Sequence, residues 1–313
     1  MDDQTELKEL ASGLLFPEGP VVLPDGDLAV CELRGGRVSR VPAGGGTPTV
    51  LAEPGGSPNG AALGPDGALY ICNSGGWRWT EVMPGAFLPG GHGGTQGDDY
   101  IGGRIQRIDL ASGKVDDVYT ECDGSPLCAP NDLVFDATGG MWFTDHGHSH
   151  GRVRDLGGVY YARADGSEIR QVVFPLDSPN GIGLSPDGSR LYVADTHTAR
   201  VYAWELAGPG QLANPNPAFG NGATALYRPA GNDLYDSLAV DGDDNVCVAT
   251  LVGGGITVVA GDGSSVRKAE LPDPMVTNIC FGGDDLRTAF VTLSFTGKLV
   301  AFEWPCAGLR LAF

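Results

Sequence analysis

Six oxygen-bearing side chains recur at matched places along the 313-residue chain: Glu18, Asn59, Asn131, Asn180, Asp236 and Asn278. Each stands seven residues ahead of a turn position, namely Asp25, Asp66, Thr138, Asp187, Asp243 and Asp285. Asp, Glu and Asn together make up 49 of the 313 residues, so six matches in six have a chance on the order of 10⁻⁵ of arising at random. Asn is depleted in strands, and a buried amide without partners costs free energy. A repeated Asn at a strand start therefore calls for a shared role. Oxygens converging on one axis, with no Cys or His among them, suit a hard cation: Ca²⁺ first, with Mg²⁺, Mn²⁺, Zn²⁺ and Fe²⁺ as alternatives. Glu18 and Asp236 would neutralise a divalent ion, and Asn180 and Asn131 would add neutral oxygens. The alternative is a water-filled channel lined by a structural polar collar, with no chemistry.

The elements that must position these residues are short strands around Gly-rich turns. Turn-centred strands recur at LPDGDLAVCE (23–32), GPDGALYICN (64–73), DATGGMWFTD (136–145), SPDGSRLYVAD (185–195), DGDDNVCVAT (241–250) and GGDDLRTAFVT (282–292). Each is followed by a second strand headed by Gly or another small residue, as in GGRIQRIDL (102–110) and TGKLVAFEW (296–304). The unit spacing is near the propeller blade period of roughly 40 to 50 residues, with insertions. Six such units predict an all-β, six-bladed β-propeller forming a single domain over residues 1–313, closed by pairing a strand near the start with the last strands. The first strand of each blade lines the channel, so the six side chains form one ring. Asn73 is expected on the far side of its blade from this ring, in a structural role. Asp132 and Ser237 follow ring residues; strand alternation points them away from the axis in a structural role, with support of the ligands from near the mouth as the alternative.

Composition agrees with many short strands: 50 Gly and 22 Pro sit between apolar runs, none long enough to span a membrane as a helix. The charge of −19 repels nucleic acid and anionic membranes and favours cations. The start, MDDQTELKEL, lacks the basic and apolar regions of a signal peptide, and seven scattered cysteines read as free thiols in a reducing compartment. The expectation is a cytoplasmic protein with a small-molecule substrate and neither nucleic-acid nor membrane partners, as a monomer or weak homo-oligomer. Cys122 and Cys128 are close enough in sequence to pair.

The stretches FPEGP (16–20), APNDLVFDATGGMWFTD (129–145), SPNGIGLSPDGSRLYVADT (178–196), YDSLAVD (235–241) and TNICFGGDDLRTAFVT (277–292) resemble the SMP-30/gluconolactonase family of metal-dependent lactonases, and its drug-responsive branch in particular. The resemblance implies a six-bladed propeller with one divalent metal at the channel mouth, held by Glu18, Asn180 and Asp236. Asn131 matches a position that contacts the metal or places substrate and water. Where sugar-lactone members carry an Arg, this chain has Ala129, which argues against gluconolactone itself.

The implied chemistry is opening of a lactone to its hydroxy acid. The metal polarises the carbonyl, and Asp236 acts as base or nucleophile, helped by Asn131. Asn59, Asn278, Trp77 and His146 are the expected substrate contacts. Trp77 belongs to the longest insertion (74–103), which with Trp79 and Phe87 would roof the pocket. His146, His148 and His150 alternate in one loop, readable as pocket wall, plain surface or a transition-metal site. His197 is expected at the rim. Two other readings stay open: a phosphotriesterase- or arylesterase-like hydrolase, and a non-catalytic propeller scaffold.

Overall fold

The computed structural model describes residues 6–216 and 220–313, so the first half of MDDQTELKEL lies outside the described residues. Each predicted turn forms. The residue after each turn position has a left-handed backbone: Gly26, Gly67, Gly139 and Gly188 in four blades, Asp244 and Leu286 in the other two. Glycine bears that conformation without steric cost, which explains the Pro-Asp-Gly signature. The preceding Asp side chains hold several of these turns, as when Asp187 Oδ1 accepts from Ser189 N at 3.0 Å.

Six antiparallel sheets result. Their first strands are Pro17–Val22, Pro58–Leu63, Pro130–Phe135, Pro179–Leu184, Leu234–Val240 and Val276–Gly282. Each of these inner strands packs on the next, and the sixth packs on the first, so the sheets form a closed six-bladed propeller. Closure uses the expected device. Lys8–Ser12 pairs antiparallel with Lys298–Glu303, so the sixth blade takes its outer strand from the start of the chain. Blade four carries an additional short strand, Gln211–Leu212, which pairs with the far end of its third strand, Arg200–Gly208, beyond the part that pairs with Thr224–Tyr227.

The core is divided among the blade interfaces. Each neighbouring pair shares an apolar cluster, such as Trp142, Val159, Ile182 and Trp204 between blades three and four. Burying each such side chain contributes about 1.5–3 kcal/mol. Trp142, Trp204 and Trp304 are fully or almost fully enclosed. At the turn end of the channel, residues 305–313 run beneath the ring. Gly242 N donates to Ala307 O, Leu309 N donates to Val240 O, and the Phe313 ring meets Phe135 of blade three at 6.1 Å. That segment starts at blade six and finishes under the opposite blade.

The seven cysteines are all free, Cys122 and Cys128 included. No helix among the described residues is long and apolar enough to cross a membrane.

Candidate active site

All six ring residues are buried, lie near the start of their inner strands, and occupy one end of the channel. A register shift interrupts every inner strand at this level, for example between Pro130 and Leu133 and between Pro179 and Ile182. Such a bulge sets two residues against one and re-aims their side chains.

The bulge corrects one expectation. Asp132 does not point away from the axis. It reaches into the channel, where it accepts from Leu133 N at 2.9 Å and lies close enough to the Ile182 and Leu238 N–H groups of blades four and five for them to stabilise its charge, while the Ser237 hydroxyl donates to Asn180 Oδ1 at 3.4 Å. On its other side it lies against Gly60 of blade two, where an added Cβ would stand 2.3 Å from Asp132 Oδ1 and 2.7 Å from Asn131 O. Gly60→Ala is therefore expected to destabilise the protein by about 3 kcal/mol through overpacking against backbone. A urea unfolding midpoint equal to the parent's would contradict this placement of Asp132.

Around Asp132 stands the collar. Glu18 Oε2 accepts from Gly19 N and from Asn278 Nδ2, both at 3.1 Å, and Oε1 makes no hydrogen bond among the described residues. Asn278 Oδ1 accepts from Ile279 N at 2.8 Å while its Nδ2 donates to Glu18, so this amide braces Glu18. Asn180 donates to Thr196 Oγ1 at 3.0 Å and to the Asp236 carboxylate. The Oδ1 atoms of Asn59 and Asn131 are buried without any partner. A buried carbonyl oxygen left unpaired costs about 1–3 kcal/mol.

Electrostatics tell the same story. Burial, and then the Asp236 charge, push Glu18 well above the usual carboxylate range. Burial pushes Asp236 and Asp132 each up to about 7, with Asp132 adding to the push on Asp236. No Lys or Arg among the described residues forms an ion pair with any of the three. Three buried carboxylates without a counter-charge are an arrangement that a cation would stabilise. Among the described residues no three His, Cys, Asp or Glu side chains form a preassembled metal group. The donor set that fits an ion is mixed: the Glu18 and Asp236 carboxylates with amide oxygens of the Asn131 and Asn180 type, which is hard-cation chemistry.

A second set of acceptors, placed fourteen or fifteen residues after the ring positions, holds the loops that deliver them. Glu32 Oε2 accepts from Leu15 N at 2.8 Å, and Asn73 Oδ1 from Ser57 N at 3.0 Å. Asp145 accepts from Cys128 N and Ala129 N, both at 2.7 Å, and Asp195 from Ser178 N at 3.1 Å. Asn73 is thus structural, as expected. It sits opposite Pro58, however, at the ring end and not on the far side. These acceptors were legible as the repeated polar residue closing each second strand: CE, CN, TD and AD.

Over three of the ring asparagines stands an arc of rings. Trp77 N donates to Ser57 Oγ, His146 N to Ala129 O and His197 N to Ser178 Oγ, at 3.1, 2.9 and 2.8 Å. Those acceptors lie two residues ahead of Asn59, Asn131 and Asn180. The Trp77 and His146 rings are 5.7 Å apart, and those of His146 and His197 are 5.6 Å apart. Trp77 and His146 therefore stand together at the rim but make no hydrogen bond to the collar. Trp79 packs on Phe16 at 5.0 Å, and Phe87 lies under the Arg34 guanidinium at 4.0 Å, so these two fasten the insertion over blade one. Phe16, directly before Pro17 and Glu18, has a φ of 59°, a strained backbone for a bulky residue. The alternating histidines do not form a metal site. His148 bonds Ser74 O and Thr95, His150 pairs with Asp155, and His146 bonds Gly147 O. Two clefts elsewhere, beside Arg190 and Trp204 and beside Asp66 and Arg107, share no residue with the collar.

A model of the SMP-30/Gluconolactonase/LRE-like region matches residues 16–295. The chain belongs to this family. Among curated relatives of this SMP-30/gluconolactonase-family chain, lactonase drp35 of Staphylococcus saprophyticus is 32% identical over 56% of the chain and 52% of the relative. The chain spans about half the length of the curated relatives it matches. A gluconolactonase from Xanthomonas campestris shares the fold, with a TM-score of 0.74 at 22% identity, over 97% of this chain and 91% of that one. Regucalcin from Agrobacterium tumefaciens, described as a calcium-binding protein, gives 0.72 at 18% identity, over 98% of each. Within the family frame, Ala129 is fully buried and offers no side-chain donor at the mouth.

Proposed function

We propose that the protein is a divalent-metal-dependent lactonase that opens a cyclic ester to its hydroxy acid, with Ca²⁺ as the preferred ion. One observation carries the reading: three buried carboxylates and two unpartnered amide oxygens share a channel end, and among the described residues no Lys or Arg pairs with them. A non-catalytic scaffold has no use for such a cluster. The name of the drp35 relatives supports the lactone as substrate.

Glu18, Asn180 and Asp236 would hold the ion, with Asn131 contributing its free Oδ1. When bound, the ion supplies Lewis-acid polarisation of the ester carbonyl and balances the charge that develops on its oxygen. The remaining work falls to the chain itself. Asp236, fixed by the Asn180 amide and the Ser237 N–H, takes the proton from the attacking water and returns it to the departing alkoxide. Direct attack by Asp236 is the variant of this scheme that isotope labelling separates: a single turnover in ¹⁸O water labels the product if water attacks, and labels Asp236 only if the carboxylate does. Asn131 and Asn59 orient the substrate, and Asp132 stiffens the strand bulges from within.

The test is a panel of lactones, aryl esters and organophosphates, assayed after exhaustive chelation and again after restoring single metals. Lactone turnover is expected to disappear with chelator and return with Ca²⁺. Turnover that survives complete removal of divalent ions would refute the metal-dependent reading, and a preference for organophosphates would move the activity to phosphotriester hydrolysis.

A further inference from the structure

His146 and His197 face one another at the rim with their proton positions fixed in opposite senses. His146 Nδ1 lies 3.0 Å from Gly147 O. A carbonyl can only accept, so the proton is on Nδ1 and the Nε2 lone pair is bare. His197 Nδ1 lies 2.9 Å from Arg154 Nη2. A guanidinium can only donate, so here Nδ1 is bare and Nε2 carries the hydrogen. Arg154 is itself held by Asp177, at 3.4 Å.

Burial pushes both imidazoles towards their neutral forms. Burial pushes His146 down to about 3, with His197, Arg154 and His148 facing it. Burial and then Arg154 lower His197, against the opposing pull of Asp177 and Asp195. Neither Nε2 has a hydrogen-bond partner among the described residues, and neither is among the enclosed unpaired atoms. Both nitrogens thus keep some contact with solvent, one as an acceptor and one as a donor, on rings 5.6 Å apart and tilted by 56°.

We propose that His146 and His197 form an acceptor–donor pair that reads a hydroxyl group, carried on the substrate outside its lactone ring. The hydroxyl hydrogen goes to His146 Nε2, and its oxygen accepts from His197 Nε2–H. An oxygen bonded to two nitrogens at about 2.8 Å with a near-tetrahedral angle holds them about 4.6 Å apart, which two rings at this separation can supply. A carboxylate or phosphate would set an oxygen lone pair against that of His146, and an ammonium would meet the His197 hydrogen. A hydroxyl satisfies both. The inference rests on the lactonase reading of the same mouth and adds the substrate feature that the mouth selects. The same chemistry could hold a water molecule, and the experiment separates the two sources.

The test compares γ-hydroxymethyl-γ-butyrolactone with its isostere γ-ethyl-γ-butyrolactone. The parent protein is expected to favour the hydroxylated lactone about 10-fold in kcat/KM, and His146→Phe and His197→Phe to bring that ratio within about 3-fold of unity. Arg154→Met, which frees the His197 tautomer, is expected to narrow it as well. A ratio that does not move in any of the three variants, or turnover that falls equally for both lactones and so assigns the pair to water, overturns the proposal. The tautomers are read independently of activity from ¹⁵N–¹H correlation spectra of the ¹⁵N-histidine protein at neutral pH. Hydrogen on Nδ1 of His146 and on Nε2 of His197 is expected, and the same tautomer on both would overturn the pairing. If the tautomers are as expected while no lactone is turned over, it is the lactonase reading that fails.

Discussion

Asp236→Asn is expected to lower kcat/KM for lactones by about 10³-fold or more while leaving the metal-free protein as stable as its parent or more so. The activity loss combines two effects: an amide cannot take the proton from water, and it is a poorer ligand for a hard cation. The stability effect has the opposite sign. Glu18, Asp132 and Asp236 repel one another in a buried channel without a counter-ion from the protein, so removing one charge relieves the fold. The measurement is a pair of thermal unfolding curves for each protein, with chelator and with Ca²⁺. Ca²⁺ at 100 times its Kd is expected to add about 2.7 kcal/mol to the parent and little to the variant. A variant that keeps the full Ca²⁺ shift would remove Asp236 from the ligand set, and one that hydrolyses lactones normally would remove it from the mechanism.

Asp145→Ala carries the largest expected cost in stability. This buried carboxylate accepts from Cys128 N and Ala129 N at 2.7 Å and from Gly147 N at 3.0 Å. Truncation leaves three enclosed N–H groups unpaired, at about 1–3 kcal/mol each, so a total of about 5 kcal/mol is expected from urea unfolding. The loop it anchors delivers Asn131 on one side and His146 on the other, so kcat/KM should fall in any surviving folded fraction. Asp145→Asn keeps an acceptor oxygen and should lose roughly half as much. Equal stability of Asp145→Ala and the parent would show that these bonds do not hold the loop.

The propeller was legible because its repeat is written in turn chemistry and strand period together. Turns of the Pro-Asp-Gly kind in three blades, and their Thr-Gly and Asp-Asp counterparts in the others, fix where the hairpins fold, and counting back seven residues reaches the channel in every blade. What periodicity could not carry was the bulge. A strand read with a strict two-residue alternation sends Asp132 outward, whereas the shift between Pro130 and Leu133 turns it inward. Asn278 shows the complementary limit. Its position follows from the repeat, but whether its amide offers oxygen or nitrogen to the axis depends on Ile279 N and Glu18. The rim was the least legible part. Trp77, His146 and His197 occupy equivalent places, but loops of different length separate them from the strands, so no fixed spacing connects them.

The segment that passes under the ring has a consequence for traffic. With Leu309 bonded to Val240 and Phe313 against Phe135, the last residues of the chain lie across the turn end of the channel. In the proposed lactonase scheme, lactone and hydroxy acid would then both pass the end framed by the histidines. There the Asp132 carboxylate, the one of the three not assigned to the ion, would disfavour a hydroxy-acid anion and so aid its release.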